Sequence, residues 1–114
     1  MNKWLLLPTI FVLNAYCGAI AQEPRPLENI VRSNCMACHG LDGNLPATGD
    51  FPRIGGQHRE YIEKALSDYI SGRRKDPIMR AQVVDPATGE ALLSETEIKA
   101  LADYFARQPG LSIK

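Results

Sequence analysis

Five consecutive residues, Cys35-Met36-Ala37-Cys38-His39, constrain this chain of 114 residues more than any other feature. Cysteines three residues apart lie on the same side of a helical turn, so both thiols face one neighbour. The spacing matches the C-x-x-C-H pattern of c-type haem attachment, in which two thiols add to the vinyl groups on one porphyrin edge. The pentad therefore predicts one covalently attached haem c, with Cys35 and Cys38 forming the thioethers and His39 binding the iron.

Three other kinds of site use similar residues. A C-x-x-C thiol redox motif is expected beside a βαβ pattern, and this sequence has no convincing strand pattern. A structural zinc ion needs four ligands, and beyond the pentad the domain offers only the distant His58 at a poor spacing. A structural disulfide between Cys35 and Cys38 would not require the adjacent His39. The pentad therefore favours haem over all three.

The first 21 residues have the pattern of a cleaved signal peptide. Lys3 gives a short positive region, residues 4–12 are almost wholly apolar, and Ala19-Ile20-Ala21 is a small-residue cleavage pattern. We therefore predict cleavage after Ala21, export to the periplasm and one domain over residues 22–114. Retention of the segment as a membrane anchor is the alternative, although polar and helix-breaking residues interrupt a stretch that would need about 20 apolar residues to span a bilayer.

Charge and composition narrow the class of protein further. Thirteen Lys and Arg balance 13 Asp and Glu, so bulk charge gives no basis for binding nucleic acid. Hydrophobic residues make up 45% of the chain, which indicates a folded domain rather than a disordered tail. One basic run, Arg73-Arg74-Lys75 with Arg80 nearby, is either ordinary solvated surface or a patch that steers an acidic redox partner.

Apolar spacing predicts three helices. The first covers residues 27–34 and runs into Cys35, the second covers residues 61–70 and ends at Gly72, and the third follows a capping box of Ser94 and Glu97 and ends at Pro109-Gly110. Glycine and proline predict loops over residues 40–56 and 72–88, with residues 81–84 as a short extended piece. Such long loops in a small domain imply that something other than side chains fills the centre.

A haem used for electron transfer requires a second axial ligand, and Met79 is the best candidate. It lies in Asp76-Pro77-Ile78-Met79, which we interpret as part of a proline-containing loop that folds over the ring. Met36 lies inside the pentad and cannot reach the other face of the ring. His58 opens the second helix and is a weaker candidate. For Met79 the alternative is core filling, the usual role of methionine.

Several segments together resemble a known family. Cys35 to Gly40, Pro52-Arg53-Ile54-Gly55-Gly56-Gln57, Pro77-Ile78-Met79 and Ile98-x-x-Leu101-Ala102-x-Tyr104-Phe105 follow one another as in small bacterial class I cytochromes c. The chain is most similar to the individual halves of periplasmic dihaem cytochromes and to their single-haem relatives. The resemblance covers about residues 27 to 108.

The resemblance implies an all-α small cytochrome c fold, in which three to five helices surround one covalently attached haem. It implies that the N-terminal and C-terminal helices pack through Ile30, Val31, Leu101 and Phe105. The chain departs from the family after the second axial ligand, where a longer stretch, Arg80 to Leu93, is predicted to form a surface turn inserted beside the haem crevice. This stretch contains residues 85–90, and a role in docking a partner is left open.

The resemblance also implies the surroundings of the haem. The carbonyl of Pro52 is expected to accept a hydrogen bond from Nδ1 of His39, which would fix the tautomer and raise the basicity of the ligand. Gly55 and Gly56 are expected to let the backbone pass close to the ring edge.

Ligation by both His39 and Met79 would leave the iron no open position, and outer-sphere electron transfer is the chemistry that remains. We therefore predict a periplasmic one-electron carrier rather than an enzyme, monomeric, with redox proteins such as a membrane-bound oxidase or dehydrogenase as donor and acceptor. We expect no small-molecule substrate and no nucleic acid partner. The alternative is a haem-bearing electron-transfer subunit of a larger dehydrogenase or oxidase complex.

Overall fold

A computed structural model describes residues 23–110, and all of the regular structure in that range is helical apart from one isolated β-bridge. The predicted signal peptide and its cleavage after Ala21 lie outside the described residues. None of the helices between residues 23 and 110 is long and apolar enough to cross a bilayer. The all-α fold class is confirmed.

The first predicted helix is present but is divided into three consecutive pieces. Helix α1 covers Leu27–Ile30, a π-helical turn covers Val31–Cys35, and helix α2 covers Met36–His39. Single π-helical turns are rare and occur mostly at functional sites. Here the turn ends on Cys35, the first thiol of the pentad, so the irregularity lies where the chain must aim two sulfurs and an imidazole.

Helix α3 covers Arg59–Ser71 and ends at Gly72, as the sequence predicts. Its apolar face buries Ile62 and Leu66. Asp68 is also buried, and it is paired with Lys64 one turn earlier and with Arg73 just beyond the helix end. These two cations compensate the negative charge of Asp68 near the end of α3, where the chain turns towards the next helix.

The prediction of a loop over residues 72–88 is wrong in its middle part, where helix α4 covers Pro77–Val83. Asp76 caps this helix, because its side chain accepts hydrogen bonds from the amides of Ile78 and Met79. Pro77 occupies the first helical position, where an amide hydrogen would have no partner within the helix, so proline costs no hydrogen bond there. The predicted extended piece at residues 81–84 is likewise helical up to Val83. Only Val84 is extended, and it forms the isolated bridge with Ala91.

Residues 85–90 form the predicted surface turn between α4 and the last helix. The amide of Asp85 donates to the carbonyl of Glu90 at 2.8 Å, and the amide of Gly89 donates to the carbonyl of Asp85 at 2.8 Å. Within the predicted insertion of residues 80–93, the part up to Val83 belongs to α4 and Gln82 lines the large cavity described below, whereas residues 85–90 do not line it. The turn closes on itself through its own backbone hydrogen bonds.

Helix α5 covers Glu95–Ala106 and begins with the predicted capping box. The amide of Glu97 donates to Ser94 Oγ at 3.2 Å, and the amide of Ser94 donates to Glu97 Oε2 at 2.9 Å. Glu97 is itself buried and also accepts from Arg25 Nε at 3.1 Å. This ion pair ties the segment before α1 to the start of α5.

The N-terminal and C-terminal helices share one core. Ile30, Val31, Leu101 and Phe105 are each at most 2% exposed, and all four belong to a single apolar cluster. Helix α5 also packs along α3. The predicted packing of the first helix against the last is therefore confirmed. Helices α2, α3 and α4 contribute residues to the wall of a cavity.

Replacement of Glu97 by Gln tests the link between Arg25 and α5. We expect the free energy of unfolding at neutral pH to fall by about 1 kcal/mol, because a charged hydrogen bond becomes a neutral one beside a half-exposed arginine. The hydrogen bond from Arg25 lowers the pKa of Glu97. The carboxylate therefore stabilises the fold fully above about pH 4.3, the ordinary pKa of glutamate, and loses this effect as the pH falls through the lower folded-state pKa.

Urea unfolding followed by far-UV circular dichroism at neutral pH and near pH 3 measures the effect. The difference between the Gln variant and the unmodified protein should shrink in acid. Glu95→Gln is the matched control, because it removes an exposed carboxylate from the same helical turn. An equal loss at both pH values would contradict this role of Glu97.

Candidate haem-binding site

A cavity of about 470 Å³ lies between the pentad, the loop of residues 50–57, α3 and α4. Its volume falls within the range of about 300–1,000 Å³ typical of cofactor and ligand sites. The side chains of Ile54, Ile62 and Leu66 provide apolar wall. The structure thus places a cavity at the centre, where the sequence predicts that something other than side chains is needed.

His39 is buried in the wall of this cavity. Its Nδ1 lies 2.8 Å from the carbonyl oxygen of Pro52, the contact that the family resemblance implies. When Nδ1 carries the proton and donates it to this carbonyl, Nε2 is left unprotonated and able to bind a metal. The ring of Phe51 stands edge-on to the imidazole, with centroids 6.3 Å apart. The imidazole is therefore held by one hydrogen bond and one aromatic contact.

Gly40 lets the chain turn back immediately after His39. It has a φ of 84°, and a Cβ atom there would lie 2.9 Å from the backbone nitrogen and oxygen of Leu45. A side chain at this position is therefore excluded by both conformation and space. The loop that follows returns to bring Pro52 beside His39.

The two cysteines of the pentad lie on adjoining cavities. Cys38 lines the large cavity, and Cys35 lines a smaller one of about 30 Å³ that also has His39 and Met79 in its wall. Burial, followed by the proximity of Cys38, raises the pKa of the Cys35 thiol to about 11. Thiols used in redox exchange have lowered pKa values, so this environment disfavours the alternative of a C-x-x-C redox motif.

Met79 lines both cavities from α4. The sequence places this residue correctly in the wall but wrongly in a loop, since it is the third residue of a capped helix. Its amide donates to Asp76 Oδ1 at 2.9 Å. Met36 is exposed and lines neither cavity, and His58 is an exposed residue preceding α3 that also lies outside both walls. Among the candidates for a second axial ligand, Met79 is thus the one the fold brings to His39.

Gly55 and Gly56 lie between Ile54 and Gln57, which both line the cavity. A Cβ atom on Gly55 would lie 2.4 Å from Asn44 Nδ2, and one on Gly56 would lie 2.4 Å from the Cα of Gly110. The amide of Gly56 donates to the carbonyl of Phe105 at 2.8 Å. These glycines therefore permit close packing of the loop against its neighbours and the end of α5, and their approach to the ring edge stays a prediction.

Arg74 lies in the cavity wall, a placement that the sequence analysis missed. Its Nη2 donates to the hydroxyl of Tyr61 at 2.9 Å, and its guanidinium lies 5.5 Å from the ring centroids of both Tyr61 and Tyr69. Adjacency in sequence suggested a basic patch, but Arg73 instead pairs with Asp68, and Arg80 donates to the carbonyl of Tyr69. The run therefore does not form one common surface of free cations.

The residues present fit a haem group. Apolar walls suit the faces of a porphyrin, His39 and Met79 supply the nitrogen and sulfur donors of an axial pair, and Arg74 with Tyr61 offers hydrogen-bond donors for carboxylates at the cavity. Within residues 23–110, by contrast, no group of three or more His, Cys, Asp and Glu side chains is placed to hold a metal ion.

Comparison with known proteins shows that this chain is similar to cytochromes c. The family model described as cytochrome c matches residues 28–108. Cytochrome c-552 of Acidithiobacillus ferridurans is 33% identical over 87% of this chain and 42% of its own length, and cytochrome c4 of Pseudomonas aeruginosa is 36% identical over 95% of this chain and 49% of its own length. The cytochrome subunit of sulfide dehydrogenase of Chlorobaculum tepidum is 38% identical over 67% of this chain and 61% of its own length.

This chain spans less than half the length of the first two relatives. The family match nevertheless runs through the pentad, the cavity and the last helix, and so covers nearly all of the described structure. The chain therefore belongs to the cytochrome c family and carries one covalently bound haem c.

Proposed function

We propose that this protein is a one-electron carrier whose haem iron is bound by His39 and Met79. The observation that carries the proposal is that these two side chains come from separate elements, α2 and α4, and line the same cavity beside the thiols of the pentad. The bound haem supplies the one-electron couple. Cys35 and Cys38 hold it by thioether bonds.

The protein's contribution at His39 is orientation. The carbonyl of Pro52, 2.8 Å from Nδ1, fixes the imidazole in the tautomer that directs Nε2 to the iron. Burial of the ring and its contact with Phe51 restrict its rotation. The His39 side chain would then need little rearrangement when the protein gains or loses an electron.

Met79 would supply a soft thioether as the second protein ligand of the bound haem. Such a ligand would favour ferrous iron and raise the reduction potential relative to a second imidazole. It would also exclude oxygen and other small molecules from the metal, which favours electron transfer over catalysis on a substrate. Apolar wall residues such as Ile62 and Leu66, both buried, act in the same direction by disfavouring the extra charge of the ferric form.

The leader sequence supports a periplasmic setting, and the names of the relatives support redox proteins as partners. Residues 1–21 direct export, cleavage follows Ala21, and the mature domain of residues 22–114 works in the periplasm. Its donor and acceptor are redox proteins. This agrees with a 36% identical relative named thiosulfate dehydrogenase electron acceptor, from Stutzerimonas stutzeri.

A second candidate function is that of a haem-bearing subunit in a dehydrogenase complex. It is favoured by the relative named cytochrome subunit of sulfide dehydrogenase. The two functions differ in assembly, since a free carrier runs as a monomer in size-exclusion chromatography and a subunit co-purifies with its enzyme in fixed ratio. Purification of the protein from its native periplasm under low-salt conditions distinguishes them.

Met79→Ala tests the axial ligand. The far-red band of thioether-to-iron charge transfer in the ferric protein should disappear completely, and the reduced protein should bind carbon monoxide, because the sixth position opens. Met36→Ala is the matched control, since Met36 lies in the pentad and outside both cavities. Unchanged spectra in Met79→Ala would remove the ligand assignment and with it the closed-site mechanism.

The covalent attachment and the export signal are tested together by a pyridine haemochrome spectrum and an intact mass. We expect the spectrum of a haem with two thioether bonds, and a mass equal to residues 22–114 plus one haem. Replacement of both Cys35 and Cys38 by Ser should leave a colourless, largely unfolded chain, because the centre of the core is lost. A matured wild-type protein with the mass of the bare polypeptide would contradict the attachment.

A further inference from the structure

The helix that carries Met79 is too short to hold its own orientation. Helix α4 has seven residues, whereas isolated helices shorter than about 12–15 residues are marginal in water. Its position in the cavity wall is therefore set by the groups that attach it to the rest of the fold. Two of these groups, Asp76 and Arg80, lie on either side of Met79 in the sequence.

Asp76 fixes the start of α4 and the backbone of Met79 itself. Its Oδ1 accepts hydrogen bonds from the amide of Ile78 at 3.0 Å and from the amide of Met79 at 2.9 Å. Pro77 sits at the first helical position and restricts the backbone there. A change in the cap is thus transmitted directly to the residue that carries the thioether.

Arg80 fixes α4 against the end of α3. Its Nη1 donates at 2.8 Å to the carbonyl of Tyr69 in the last turn of α3, which also accepts from the amide of Gly72 at 3.3 Å. Gly72 leaves room for the guanidinium, since a Cβ atom there would lie 3.1 Å from Nη1. In addition, Asn34 Nδ2 donates to the carbonyl of Gln82 at 2.9 Å and joins α4 to the residue before Cys35.

We infer that Asp76 and Arg80 are positioning residues for Met79: together they hold α4 in the orientation that keeps the thioether on the iron. The inference rests on the proposed ligation by Met79 and adds to it the reason why the ligand stays bound. It also assigns Arg80 a local role in place of the steering role that its charge suggested.

The test compares Asp76→Ala and Arg80→Gln in the matured haem protein. Both should bind imidazole added to the ferric protein about five- to tenfold more tightly than the unmodified protein, because loss of a cap or of a hydrogen bond of this kind weakens the competing Met79 ligation by that factor. On heating, the thioether-to-iron band should disappear at a lower temperature than the helical circular dichroism. A role in general stability alone would move both signals together.

Two controls make the result specific. Asp76→Ser keeps a capping oxygen and should restore most of the wild-type imidazole affinity. Arg73→Gln removes a neighbouring positive charge without touching α4 and should leave the affinity unchanged.

Wild-type imidazole affinity in both Asp76→Ala and Arg80→Gln would overturn the inference, as would an equal effect in Arg73→Gln. Absence of the thioether-to-iron band from the unmodified protein would overturn the proposed ligation by Met79 as well. This measurement therefore distinguishes failure of that ligation from failure of the positioning role of Asp76 and Arg80.

Discussion

A haem needs a flat space that side chains do not fill, and the helices of this domain are arranged so that such a space is left between them. The cavity of about 470 Å³ is bounded by four segments, and the side-chain core lies beside it, with residues from α1, α3, α4 and α5. A domain of this size buries a smaller share of its surface than a large one. An apolar ring in the cavity would extend the single side-chain core through Ile62 and Leu66, which belong to that core and also line the cavity.

The sequence predicted the elements whose signals are local and repeated. The periodic apolar face of α3, its end at Gly72 and the capping box of Ser94 and Glu97 all appear as expected. Helix α4 was missed because seven residues are too few to show a period, although Asp76-Pro77 is itself a helix-start signal. The contacts of Gly55 and Gly56 with Asn44 and Gly110 depend on tertiary packing, which no local pattern encodes.

Neighbouring charges in the sequence proved a poor guide to a common surface. Arg74 turns into the cavity wall between two tyrosines, and Arg80 turns back to the end of α3. The guanidinium of Arg74 lies beside two aromatic rings and that of Arg80 donates to a backbone carbonyl, and arginine is better suited than lysine to stacking and to directed hydrogen bonds. The cluster therefore contributes to the construction of the haem site before it contributes to any encounter with a partner.

The segments that carry the two proposed axial ligands, His39 and Met79, are attached to the rest of the structure in different ways. On the His39 side, the pentad joins ligand and cofactor through two covalent bonds within four residues, and Pro52 fixes the imidazole. On the Met79 side, a seven-residue helix is held by hydrogen bonds that Asp76 accepts and that Arg80 and Asn34 donate. Because covalent attachment survives local opening and hydrogen bonds do not, we expect an opening of the site to begin at α4. Under the proposed ligation by Met79, the chain would then retain its haem when the thioether leaves the iron, and loss of this ligand would be a reversible local event rather than loss of the cofactor.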